Sequence, residues 1–159
     1  MKRIFIDASK CDGCKNCTVA CMYYHSDAIT EEEKAQPFDW QKTYMLDLGD
    51  PANESRNHIV NDGKGGYIPI FCRHCDEPEC VMACMSGALS KDPVTGHVGY
   101  DEERCGACFM CVMNCPYGVL KADRAERVKV IKCDFCDDKE SGPSCVASCP
   151  KKAIYVEEV

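Results

Sequence analysis

Cysteine constrains this chain more than any other residue type: sixteen of the 159 positions carry it, and they divide without remainder into four quartets. Cys11, Cys14, Cys17 and Cys21 stand in a C-x2-C-x2-C-x3-C run, which Cys105, Cys108, Cys111 and Cys115 repeat with Pro116 behind the last. Cys72, Cys75, Cys80 and Cys84 read C-x2-C-x4-C-x3-C. Cys133, Cys136, Cys145 and Cys149 read C-x2-C-x8-C-x3-C, again followed by a proline, Pro150. A C-x2-C-x2-C-x3-C-P run is the signature of a chain holding two [4Fe–4S] clusters, with three thiolates on one cluster and the fourth on its neighbour. Four quartets imply four clusters.

The spacing has a chemical reason. Two intervening residues let a tight loop bring successive thiolates to different iron corners of a cubane. Small or flexible residues let the backbone approach the inorganic sulfides and donate N–H bonds to them, a role that suits Gly13 and Gly106. The last cysteine, four positions on, lies about one helical turn away and is free to face a second cluster. A following proline then stops the helix without needing a donor.

Two other uses of so much cysteine compete with this one. The first is a secreted disulfide scaffold. The N-terminus, MKRIFIDASK, has no apolar h-region and no small-residue cleavage site, so export is not expected. Repeated C-x2-C loops also make poor disulfide partners for one another. The second is zinc, for which a pair of separated C-x2-C units is enough. Zinc does not require a third and fourth cysteine at two- and three-residue intervals, four times over.

The rest of the composition agrees with clusters as core material. Only five Phe and one Trp are present, so the conventional apolar core is thin. Metal binding supplies folding free energy that buried apolar area here does not. No apolar run reaches the ~18 residues of a spanning helix, and reduced thiolates on this scale point to the cytosol of an anaerobe or an anoxic niche. The formal charge is −7, and four thiolate-ligated clusters would each add about two more negative charges. That balance disfavours nucleic acid and an anionic membrane surface.

Along the chain the organisation is a repeat. Residues 3–6 and 97–100 alternate like strands ahead of the first and third quartets, while 119–120 and 153–156 do so beyond the third and fourth. Residues 127–131 supply one more strand leading into Cys133. The expected fold is α+β: a tandem, pseudo-twofold dicluster ferredoxin-like plan with a segment inserted between the first two cysteine motifs. Residues 1–21 with 122–159 form one lobe, 72–121 the other, and 22–71 the insert. Within the insert, Thr30 and Glu33 predict a capping box opening a helix that Pro37 ends. Residues 42–48 and 57–60 read as strands with a turn at Gly49-Asp50-Pro51, and further glycines precede Tyr67–Phe71. A stretch this long suggests either a docking element or a cover for the clusters. His74, between Cys72 and Cys75, is placed to hydrogen-bond a sulfur, whereas His25, His58 and His97 read as surface or turn residues. No paired carboxylates, nucleophile–base set or dinucleotide glycine motif stands out, so no catalytic residue is expected.

The order of quartets, the segment between the first two, and the stretch Cys72-Arg73-His74-Cys75-Asp76-Glu77-Pro78-Glu79-Cys80 resemble the four-cluster ferredoxin-like subunits of anaerobic redox enzymes. These serve dimethyl-sulfoxide reductase, formate dehydrogenase, hydrogenase, nickel carbon monoxide dehydrogenase and tungsten aldehyde oxidoreductase complexes. In its compactness the chain resembles most the small subunits that accompany carbon monoxide dehydrogenase or tungsten oxidoreductases. Met22 and Met85 depart from the proline often found after the fourth cysteine. The resemblance implies crossed ligation, first quartet with fourth and second with third. Cluster 1 would take Cys11, Cys14, Cys17 and Cys149, and cluster 2 Cys133, Cys136, Cys145 and Cys21. Cluster 3 would take Cys72, Cys75, Cys80 and Cys115, and cluster 4 Cys105, Cys108, Cys111 and Cys84. It further implies a non-catalytic electron-transfer subunit, with a large catalytic oxidoreductase subunit on one side. On the other side stands a flavoprotein, ferredoxin or membrane complex. A free-standing polyferredoxin and a zinc-bound interaction module are the alternatives.

Overall fold

The computed structural model describes the backbone of all 159 residues and the side chains of all but Tyr44 and Met45. Its strands associate only in antiparallel pairs, because each is too short and too widely separated by cysteine loops to join a larger sheet. β1 (Lys2–Ile6) pairs with β8 (Ile154–Glu158), β2 (His58–Asn61) with β3 (Tyr67–Ile70), β4 (Leu89–Lys91) with β5 (Val98–Tyr100), and β6 (Lys121–Ala122) with β7 (Val130–Ile131). The β1–β8 ribbon ties the two ends of the chain together, with Ile4 opposite Val156 and Ile6 opposite Ile154. Alternation puts Ile4 and Ile154 on the buried face, while Phe5 and Tyr155 stack with ring centroids 6.0 Å apart.

Four helices carry cysteines: α1 (Asn16–His25), α3 (Glu79–Met82), α4 (Met110–Met113) and α5 (Ser144–Ala147). α1 packs against α5, and α3 against α4. The remaining helix, α2 (Glu31–Ala35), opens with the expected capping box, Thr30 and Glu33 each bonding the other's backbone, and it ends before Pro37. Among the described residues, apolar burial is distributed over three small clusters. One gathers Leu89, Val98, Val119, Leu120 and Val130. Another gathers Ile4, Phe71, Phe135 and Ile154, and the third Val19, Tyr23, Ile29 and Leu46. Cysteines, among them Cys72, Cys111, Cys17 and Cys145, are buried members of the first two, so candidate ligands also serve as core.

Several expected strands differ. Residues 42–48 are not a strand; Trp40–Met45 form a 3-10 helix. The reason is local polar competition. Asp39 accepts from the Gln41 N–H at 2.9 Å, Thr43 donates to the Trp40 carbonyl at 2.8 Å, and Asp47 accepts from the Gly49 N–H at 2.9 Å. Of residues 127–131 only Val130 and Ile131 pair, since Arg127 takes a left-handed φ of 57° that breaks extension. Val119 and Leu120 are core residues just ahead of β6 rather than part of it.

Candidate iron–sulfur centres

Every cysteine is a free thiol, and the loops deliver them in fours. Cys11, Cys14 and Cys17 line one recess together with Cys149, with Ile59 and Pro69 on its apolar wall. Cys136 and Cys145 lie within electrostatic reach of Cys21, and Cys145 also of Cys133. Cys75 and Cys80 each face Cys72 and Cys115. Cys111 faces Cys84, Cys105 and Cys108. Neighbouring sets approach one another as well: Cys145 reaches Cys17 of the first set, and Cys133 reaches Cys72 of the third. Only Cys14 and Cys108 are exposed, so solvent reaches the first and last sets most openly.

Backbone geometry explains the convergence. Left-handed residues punctuate the cysteine loops: Gly13 (φ 74°), Lys15 (60°), His74 (45°), Ala107 (49°), Phe109 (57°), Phe135 (66°) and Cys136 (51°). Such turns aim successive N–H groups into one concavity, the arrangement that cradles anions. Gly13 needs its missing side chain, because a Cβ there would meet the Tyr67 ring at 2.5 Å. In the third quartet the left-handed residues are Ala107 and Phe109, not Gly106.

The sulfurs are already solvated by backbone donors. The Arg56 N–H reaches Cys21 Sγ at 3.3 Å, Leu89 reaches Cys84 at 3.4 Å, Phe135 reaches Cys133 at 3.4 Å, and Ala153 reaches Cys149 at 3.3 Å. Burial otherwise holds several thiols protonated, pushing Cys17 and Cys136 up to about 12 and Cys80 to about 11. Thiolates at such positions require a bound cation, and iron in a cubane supplies it at all four corners of each set. When bound, each cluster supplies a one-electron couple. The tetrads fit that group.

The histidines occupy places that local sequence did not foretell. His74 is buried and accepts from the Val98 N–H at 2.9 Å through Nδ1, while its Nε2 has no partner among the described residues. Its hydrogen bond is therefore to the backbone and not to a sulfur. Burial, reinforced by Lys132, lowers its pKa to about 2. His97 is buried too, facing Asp137 at 2.9 Å and stacked on Phe135 at 4.1 Å. His25 donates to the Cys21 carbonyl at 2.8 Å and to Asp134 at 3.2 Å. Burial alone would lower its pKa, but Asp134 and Cys21 outweigh it and raise it to about 9. His58 lies in β2 and bonds the Gly118 carbonyl at 3.0 Å. Asp134 gathers His25 and Arg56 behind the fourth quartet. Neither it nor Lys132 was singled out from the sequence; their only signal is adjacency to Cys133.

Residues 64–159 match the family described as 4Fe-4S dicluster domain. The chain belongs to the 4Fe-4S dicluster family. It is 32% identical over 165 residues to "Electron transport protein HydN" of Escherichia coli (strain K12), covering 95% of this chain and 85% of that one. It is 35% identical over 153 residues to the B subunit of the anaerobic dimethyl sulfoxide reductase of the same organism, covering 94% and 70%. Its fold is similar to that of a subunit in the "Active site complex BamBC of Benzoyl Coenzyme A reductase in complex with Benzoyl-CoA", with a TM-score of 0.50 at 24% identity, covering 99% of this chain and 79% of that one. As a dicluster-family protein with sixteen cysteines it carries four [4Fe–4S] clusters and acts in electron transfer. Among the described residues no helix is long and apolar enough to cross a membrane.

Proposed function

We propose that this dicluster-family protein is the non-catalytic relay subunit of an oxidoreductase complex. It passes single electrons between a large catalytic subunit and a second redox partner. The observation that carries the reading is the contiguity of the cysteine sets: Cys17 lies within reach of Cys145, and Cys133 of Cys72. A protein of this length has a radius of gyration of about 15 Å, so electrons entering any cluster have short hops to the others. The proposed ligands are Cys11, Cys14, Cys17 and Cys149 for cluster 1, and Cys133, Cys136, Cys145 and Cys21 for cluster 2. Cluster 3 takes Cys72, Cys75, Cys80 and Cys115, and cluster 4 takes Cys105, Cys108, Cys111 and Cys84. The pairing within each set is supported by the proximities above.

For the catalytic partner, the relatives' names favour an anaerobic reductase of the dimethyl-sulfoxide type. The carbon monoxide dehydrogenase or tungsten aldehyde oxidoreductase type, whose small subunits the quartet order also resembles, is the second candidate. Both require a large subunit bearing its own redox centre. Anaerobic purification of the native protein tests this: it is expected to copurify with such a subunit. Recovery as a monomer that still exchanges electrons with soluble carriers would make it a free-standing polyferredoxin instead.

A further inference from the structure

A buried ammonium is normally matched by a carboxylate. Lys132 is 5% exposed, yet its Nζ donates to two backbone carbonyls, those of Val98 and of Cys133, the latter at 2.6 Å. Among the described residues it joins no ion pair. Several other cations near the clusters have carboxylate partners: Arg3 and Lys91 share Asp76, Arg56 shares Asp134 with His25, and Lys121 pairs with Glu54. Lys132 forms part of the wall of an open cleft, and among the described residues none of the carboxylates on that wall pairs with it. Glu102 holds Lys129 at 3.0 Å, Asp123 accepts from the Ala125 and Glu126 N–H groups, and Asp134 holds His25 and Arg56.

The position of this charge matters as much as its lack of a partner. Lys132 precedes Cys133 in the chain, and its field also reaches Cys80. Cys133 in turn is within reach of Cys72. Lys132 therefore stands at the junction of two cysteine sets, the two whose members are all shielded from full exposure.

We infer that Lys132 is the fixed positive charge that raises the reduction potential of the two inner clusters, those assigned to Cys72, Cys75, Cys80 and Cys115 and to Cys133, Cys136, Cys145 and Cys21. The inference rests on the ligand sets proposed above. One electron arriving from an adjacent cluster adds one negative charge to a tetrad that is already anionic, with no proton or other atom transferred. A cation without a counter-ion favours the charged side of that exchange, more strongly in a medium of low polarizability than in water. The two carbonyls keep the ammonium in place. Lys132 thus positions charge without touching a reacting atom, and it keeps the middle of the row from becoming an energetic barrier to electrons.

The test is an anaerobic redox titration of the whole four-cluster protein, followed by electron paramagnetic resonance. Lys132→Gln keeps a hydrogen-bond donor and removes the charge, whereas Lys132→Met removes both. Both variants are expected to lower the potentials of two centres, with the other two nearly unmoved. Unchanged potentials in Lys132→Gln, or an equal shift of all four centres, would overturn the inference. Should both variants lose iron, Lys132→Arg decides: full iron with wild-type potentials upholds the role of charge, and iron loss there too makes the residue structural and the inference wrong. An error in the ligand sets has a separate readout, because Cys14→Ser and Cys149→Ser would then alter different centres.

Discussion

At the scale of single residues, Cys149 does two things. It follows Ser148, the C-cap of α5, and its sulfur accepts from the Ala153 N–H at 3.3 Å, and it stands in the recess lined by the cysteines of the first quartet. If it completes cluster 1, Cys149→Ala and Cys14→Ala should perturb the same spectroscopic centre and leave the one altered by Cys136→Ala intact. Coincidence of Cys149→Ala with Cys136→Ala would show that the quartets are not exchanged. His74 makes a related point. Its place between two ligands suits it to a sulfur, but β5 lies across it and the Val98 N–H takes Nδ1 first. A side chain's partner is set by which backbone group reaches it, and that is a long-range matter.

At the scale of elements, residues 26–71 differ most from the cysteine loops. They hold α2, the 3-10 helix and the β2–β3 hairpin, and their contacts reach back to the first quartet. Asn57 accepts from Thr18 at 3.0 Å, and the Arg56 N–H donates to Cys21 Sγ. Trp40 and Leu48 are exposed, as is Ile68. Replacing residues 27–62 with a short Gly/Ser linker is expected to weaken association with the catalytic subunit while leaving most of the iron in place. Normal association combined with faster iron loss in air would make the segment a shield instead of a docking element. The contact to Cys21 warns that cluster 2 is the first place a partial loss of iron would show.

At the scale of the whole molecule, three small apolar clusters and four two-stranded ribbons do not amount to an independent core. The iron must supply much of the folding free energy. Anaerobically prepared protein is therefore expected to hold about sixteen iron and sixteen acid-labile sulfide per chain, and chelation should unfold it cooperatively, measured by loss of visible absorption together with far-UV circular dichroism. Retention of secondary structure after complete iron removal, or tightly held zinc in place of iron, would contradict this. The β1–β8 ribbon belongs to the same argument, since it brings the first and last quartets together by pairing the two ends of the chain.

The four-cluster content and the α+β class were legible from the sequence alone, because iron–sulfur chemistry demands one residue type at short, local intervals. The capping box at Thr30 and strands overlapping residues 3–6, 57–60, 97–100 and 153–156 were legible for the same reason: caps and alternation are local signals. The 3-10 turn at 40–45 was not, since Asp39 and Thr43 satisfy backbone groups that a strand would have left for a neighbour. Nor was the burial of His97 and Lys132, or the gathering of His25 and Arg56 on Asp134. Each of these depends on which distant loop packs alongside, and no spacing along the chain encodes that. Tertiary structure decided where the charges stand around the clusters, because fields and hydrogen bonds act through space between segments that the cysteine loops bring together.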